Sequence, residues 1–165
     1  MLQLTLIRHA KSDWSEITLN DDGRPLNQRG RDNAPLMGKV LKEQAIQFDL
    51  MVSSPAVRAA TTTELLAHEL GYPVEKIRFN KALYGAEIDT LLEVVQALPN
   101  NDTRVALIAH NPGLTTFCNY LCDAGISNLP TCSVVRIRFD MDDWSAVFQN
   151  TGTLELYEFP RKHVD

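Results

Sequence analysis

At 165 residues the chain has enough length for one domain, 1–165, with a proper core, and 44% hydrophobic with 22% charged residues is the balance of a soluble globule. A net charge of −5 without any block of like charges argues against nucleic acid or an anionic membrane as partner, so an anion site must be a local pocket in an acidic surface. No apolar stretch has the length of a membrane span, and the start carries no signal-peptide pattern. The three cysteines, Cys118, Cys122 and Cys132, are too few for a disulfide scaffold. These features predict a cytoplasmic protein, with Cys118 and Cys122 as packing residues and not metal ligands.

In chain order, "QLTLIR" (3–8) predicts a buried strand that ends without a turn residue on Arg8 and His9. A polar loop follows through "SEITLNDDGRPL". Asn27 caps an expected helix to about Gln44, which Pro35 should kink or break. "DLMVSS" (49–54) is a second strand. A helix from Pro55 to Leu70 is stopped by Gly71. "KIRF" (76–79) is a third strand, and "EIDTLLEVVQAL" spaces its apolar residues as a helix before Pro99. "RVALIA" (104–109) is again buried, followed by a helix from Pro112 to about Ala124. "SVVRIRF" and "TLELYEF" alternate like strands with one solvated face. Strands and helices taking turns predict α/β layers about a mostly parallel sheet.

In such sheets ligands bind beyond the carboxyl ends of the strands. The first strand delivers Arg8 and His9 there, the second delivers "SSPAVRAATT", and "RVALIA" delivers His110 in "AHNPG". Ser54 with Pro55, and Asn111 with Pro112, each read as an N-cap with proline at the first helical position. Both helix starts would then aim backbone N–H groups into the crevice, where anions are favoured. Arg58 falls in the first turn of its helix, where a cation opposes the helix dipole unless an anion lies between them. Two arginines can grip a phosphate bidentately, a neutral imidazole can attack phosphorus, and a second imidazole can bond a phosphoryl oxygen. His68, late on a helix, and His163, in the polar tail, read as solvated.

"RHAKSDW", "DGRPLNQRG", "SSPAVRAATT", "ALYGAE" and "AHNPGL", in this order, resemble the histidine phosphatase superfamily, and most closely its small SixA-like phosphohistidine phosphatases. The resemblance runs over about residues 4–117, with weaker similarity through "LPTCSVVRIRF". It implies a three-layer α/β/α sandwich of the phosphoglycerate mutase-like type. It also implies His9 as the transiently phosphorylated nucleophile, with Arg8, Arg58 and His110 completing the phosphate pocket and no metal or organic cofactor. Arg24 and Ser15 are expected on the substrate side, although Arg24 could equally form an ordinary loop salt bridge.

The departures bear on substrate. Ala10 stands where glycine is usual, and Lys11 and Ser15 stand where mutase-like relatives carry a glutamate and a phosphate-contacting asparagine. Lys81 in "NKALYG" falls where their acid would be. Expelling an alkoxide needs a proton donor, whereas the nitrogen of a phosphohistidine can leave without one. Asp13, Asp21, Asp22 and Glu87 are the carboxylates that could substitute. The expected function is a phosphatase working through a phosphohistidine intermediate on a phosphorylated histidine of a protein. The rivals are a small-molecule phosphomonoesterase or mutase of the same fold, and a phosphate-binding module without turnover. The sequence leaves the oligomeric state open.

Overall fold

The computed structural model describes residues 1–164. Its strands are β1 (Leu2–Arg8), β2 (Leu50–Ser53), β3 (Arg78–Phe79), β4 (Arg104–Ala109), β5 (Val134–Phe139) and β6 (Gly152–Glu158). Its helices are α1 (Gln28–Glu43), α2 (Val57–Leu70), α3 (Ile88–Gln96) and α4 (Gly113–Cys122). The sheet order is β3-β2-β4-β1-β5-β6. The first four strands of that order are parallel, β5 runs antiparallel to β1, and β6 runs antiparallel to β5.

Strand periodicity sorts the apolar residues onto two faces. Leu2, Leu4 and Leu6 of β1, with Val105 and Leu107 of β4, pack under Leu91 and Val95 of α3 and Phe117 and Leu121 of α4. Ile7, Met51 and Ile108 point the other way, against Met37 and Leu41 of α1 and Leu66 of α2. The result is the expected three layers. Beyond the cover of α1 and α2, Arg136 and Arg138 of β5 occupy the partly solvated face and pair with Glu155 of β6.

Helix α1 runs without a break through Pro35. The proline forfeits one backbone hydrogen bond, but Ala34, Met37 and Leu41 around it are buried, and Gly38 lets α2 approach so closely that a Cβ would lie 2.6 Å from Glu69 Cβ. Tertiary packing outweighs the local penalty. The expected proline starts also shift. The first residue of α2 is Val57, with Ala56 at the N-cap, and α4 begins at Gly113. Ser54 Oγ instead accepts from Ala56 N at 3.3 Å, and Asn111 Oδ1 accepts from Thr115 N at 3.1 Å, so both side chains still satisfy amides near a helix start. No described helix is long and apolar enough to cross a membrane.

Candidate active site

Strands β2, β4 and β1 are neighbours, so their carboxyl ends open on one crevice. His9 directly follows β1 and is held by its own N–H to Ala109 O at 3.2 Å. Its Nδ1 lies 2.7 Å from Ala10 O. A carbonyl can only accept, so Nδ1 carries the proton and Nε2 keeps its lone pair. Arg58, in the first turn of α2, brings Nε to 3.4 Å from that Nε2. The His110 ring, one residue past β4, stands 5.1 Å centroid to centroid from the His9 ring, with its Nε2 2.7 Å from Ser54 Oγ. Arg8 donates through Nη1 to Leu129 O at 2.7 Å. Arg8 Nε and His110 Nδ1 are buried and have no hydrogen-bond partner in the protein.

Two devices fix this floor. Thr62 Oγ1 accepts from Ala10 N at 2.9 Å and donates to Arg58 O at 2.7 Å, tying the loop after His9 to the helix that carries Arg58. Gly30 lets α1 sit on the same loop, since a Cβ there would fall 2.2 Å from Lys11 O.

Above the floor lies a rim on the loop between β1 and α1. Asp21 is its centre. Its carboxylate accepts from Arg24 Nη2 at 2.9 Å, from Arg58 Nη2 at 3.0 Å and from the Tyr84 hydroxyl, while its backbone oxygen accepts from Arg58 Nη1 at 2.6 Å. Arg24 also donates to Ser12 Oγ at 2.7 Å and stacks its guanidinium 3.4 Å from the centre of the Trp14 ring. Of the residues singled out from sequence, Arg8, His9, Arg58, His110 and Arg24 meet here. Ser15 does not reach the arginines: it is exposed, its N–H bonds Asp13 Oδ1, and Ser12 takes the arginine contact instead. Ser12, Thr62 and Tyr84 lie inside "RHAKSDW", "SSPAVRAATT" and "ALYGAE", yet nothing in those stretches assigns them a role, because a lone hydroxyl has no distinctive spacing.

Burial holds both histidines neutral. It pushes His9 down to about 3, with the positive charges of Arg58 and Arg8 acting in the same direction against the bond to Ala10, and it pushes His110 down to about 4. Asp21 is held far below the usual carboxylate range, first by Tyr84 and then by Arg24 and Arg58. A carboxyl held this firmly as an anion does not donate a proton near neutral pH. Asp22 is exposed beside it, and Asp13 accepts from Ser15.

From His110 a cleft of about 460 Å³ runs toward the starts of α3 and α4, past Glu87, Asp89, Asn111 and Thr116. Its base needs Gly113, where a Cβ would sit 2.0 Å from Ala86 O. Lys81, in an exposed turn before Tyr84, is not part of the lining. Among the described residues no three His, Cys, Asp or Glu side chains converge as a metal site. His68 is exposed, whereas His163 Nε2 is hydrogen-bonded to the Glu158 carboxylate.

Comparison with known proteins places this geometry in context. The family model described as histidine phosphatase superfamily (branch 1) matches residues 4–79, a stretch that includes Arg8, His9, Arg24 and Arg58 but not His110. A structure of the protein histidine phosphatase SixA complexed with tungstate superposes with a TM-score of 0.83 at 24% identity, over 98% of this chain and 99% of that one, a likeness of fold. An uncharacterized chloroplastic protein of Arabidopsis thaliana is 25% identical over 158 residues, 91% of this chain and 72% of that protein. A 2,3-bisphosphoglycerate-dependent phosphoglycerate mutase of Streptococcus pyogenes is 37% identical over 92 residues, which are 52% of this chain and 40% of the mutase.

Proposed function

We propose that the chain, whose residues 4–79 match the model of the histidine phosphatase superfamily (branch 1), is a phosphatase that passes the phosphoryl group through His9, and that its substrate is a phosphorylated histidine of a protein. The observation that carries this reading is the tautomer of His9. With the Nδ1 proton committed to Ala10 O, Nε2 keeps its lone pair and accepts from Arg58 Nε at 3.4 Å; a phosphoryl group that displaces this donor would face the lone pair with the guanidinium beside it to meet its charge. Arg8 and His110 supply further donors to the transferring oxygens. Water then attacks the phosphorus, the P–N bond to His9 breaks with its electron pair returning to Nε2, and inorganic phosphate leaves.

The choice of phosphohistidine follows from the want of a proton donor among the groups that touch Arg58 and His9. Asp21 is committed to Arg24, Arg58 and Tyr84 as a carboxylate. The resemblance puts Lys81 where mutase-like relatives carry their acid, and Lys81 lies in an exposed turn outside the cleft lining. Such a site favours leaving groups that need no help, and an imidazole nitrogen is one. The likeness to mutases over 92 residues supports a second reading, a small-molecule phosphatase or mutase. Against a mutase, the cleft beside His110 has neither lysine nor arginine in its lining to hold a second phosphate. Arginines in place of a metal should also make turnover indifferent to EDTA.

The decisive experiment compares a phosphohistidine peptide, sugar phosphates and nitrophenyl phosphate, with acid-labile phosphoenzyme trapped by rapid quench. Phosphohistidine and nitrophenyl phosphate should turn over well and label His9. Preference for a sugar phosphate, or loss of activity in EDTA restored by a divalent ion, would overturn the corresponding part.

A further inference from the structure

The phosphate pocket and the cleft that continues from it have opposite charge. Arg8, Arg24 and Arg58 gather at one end. At the other, beyond His110, the ionisable side chains of the lining are Glu87 and Asp89. Among the described residues neither carboxylate has a salt bridge or a hydrogen bond. Glu87 occupies the N-cap position of α3 without its side chain capping the helix. The starts of α3 and α4 each bring roughly half a positive charge, and two full carboxylate charges exceed that. The His110 ring, 8% exposed, forms the boundary between the two ends, and its Nδ1 has no partner.

We propose that Glu87 and Asp89 form a leaving-group subsite that selects the protonated, imidazolium form of a phosphorylated imidazole. This rests on the reading of the site as a phosphohistidine phosphatase. Attack by Nε2 of His9 forms one P–N bond as the P–N bond to the substrate ring breaks, and the electron pair of the latter returns to the ring nitrogen. If the far nitrogen of that ring is unprotonated, the departing group is an imidazolate. If it carries a proton, a neutral imidazole departs. A carboxylate accepting that N–H raises the proton affinity of the bound ring and so maintains the form that leaves readily. The enzyme then needs no general acid, because the substrate arrives with its own proton and two carboxylates hold it there. The same pair repels an anionic leaving group and any second phosphate.

The test uses 1-phosphoimidazole and nitrophenyl phosphate on the whole chain, comparing wild type with Glu87→Gln, Asp89→Asn and the double variant. For the double variant, kcat/KM on phosphoimidazole should fall about tenfold, and the alkaline limb of kcat, which reports the bound substrate, should move about one unit to lower pH. On nitrophenyl phosphate, whose leaving group is an anion, kcat/KM should instead rise about twofold as repulsion is removed. A variant that merely perturbs the fold lowers both. Parallel falls on the two substrates, or a ratio that stays put, would overturn the subsite while leaving the phosphohistidine reading intact. A wild-type enzyme that cleaves nitrophenyl phosphate but not phosphoimidazole, or that cleaves phosphoimidazole without His9, would overturn both.

Discussion

The floor and the rim of the site are built differently. His9, Arg58 and His110 of the floor are 6–8% exposed and are fixed by strand ends, the Thr62 relay and a helix start. The rim hangs on a loop whose centre, the Asp21 side chain, is 49% exposed and whose Trp14 is 65% exposed. Side chains fixed by packing hold His9 and Arg58 at one separation. Loop side chains hold one another through charge. The floor should therefore carry chemistry and the rim should carry affinity and alignment, and substitutions should separate the two by orders of magnitude.

His9→Ala is the largest expected effect. It removes the atom proposed to bond phosphorus, and kcat should fall by at least about a thousandfold on every substrate while the far-ultraviolet dichroism is unchanged. Retention of more than roughly a hundredth of the activity would show that another group attacks. Acid should disturb the same floor. His9 and His110 titrate near about 3 and about 4 in the folded chain, below the ordinary histidine value of about 6.5. Between those limits the unfolded chain binds protons that the folded chain refuses. Their contribution is complete above about pH 6.5 and is lost as pH falls toward 4 and then 3. Thermal melting should drop steeply over that window, and His9→Asn should flatten the drop. Equal slopes in both proteins would break the link between burial and neutral histidines.

Arg58→Ala comes next. Arg58 is the side chain that spans the two regions, with Nε on His9 and both terminal nitrogens on Asp21. Its loss should cost about a hundredfold in kcat/KM, and Arg58→Lys should recover little, because one ammonium cannot serve both sides. Full rescue by lysine would mean that charge alone matters.

Much of the floor was legible in the sequence and little of the rim was. "RHA", "SSPAVR" and "AHNPG" end apolar strands, and strand ends in a parallel sheet converge by topology, so four residues far apart in the chain could be brought together on paper. The three layers followed from the same alternation of strand and helix. Asp21 was visible only as one of several carboxylates that could donate a proton, because its partners Arg24, Arg58 and Tyr84 come from three segments and no periodicity relates them. The position of the helix starts was misjudged by one or two residues for a local reason. Ser54 Oγ shares a hydrogen bond with His110 Nε2, and Pro55 stays outside the helix. Pro35 misled in the opposite direction, since the burial that carries α1 through it is a tertiary fact.

Asp21→Asn tests which role this carboxylate has. As an anchor for Arg24 and Arg58, it should lower kcat/KM about tenfold, by a similar factor on nitrophenyl phosphate, phosphohistidine and an alkyl phosphate, since alignment of the arginines serves all three. A proton donor would behave otherwise. Its loss would leave nitrophenyl phosphate nearly untouched and abolish the alkyl ester, and that pattern would return Asp21 to the role of acid.

Trp14→Ala should have the smallest effect of the series. The Trp14 ring holds the Arg24 guanidinium at 3.4 Å from its centre, and Arg24 is already tied to Asp21 and Ser12, so the ring adds to an arrangement that persists without it. An exposed cation–π contact contributes about 0.5–1 kcal/mol, a factor of about two to five. The change should appear in KM and leave kcat alone, because Arg24 touches the rim and not the reacting nitrogen. Ile17→Ala is the matched control: Ile17 is 90% exposed on the same loop and makes no cation contact, so its removal perturbs the loop to a similar degree without touching Arg24. If Ile17→Ala raises KM as much as Trp14→Ala does, loop order and not the stacked arginine sets affinity. If Trp14→Ala lowers kcat by tenfold or more, the rim reaches into the chemistry, and the division between a packed floor that reacts and a charged loop that aligns fails at its most exposed residue.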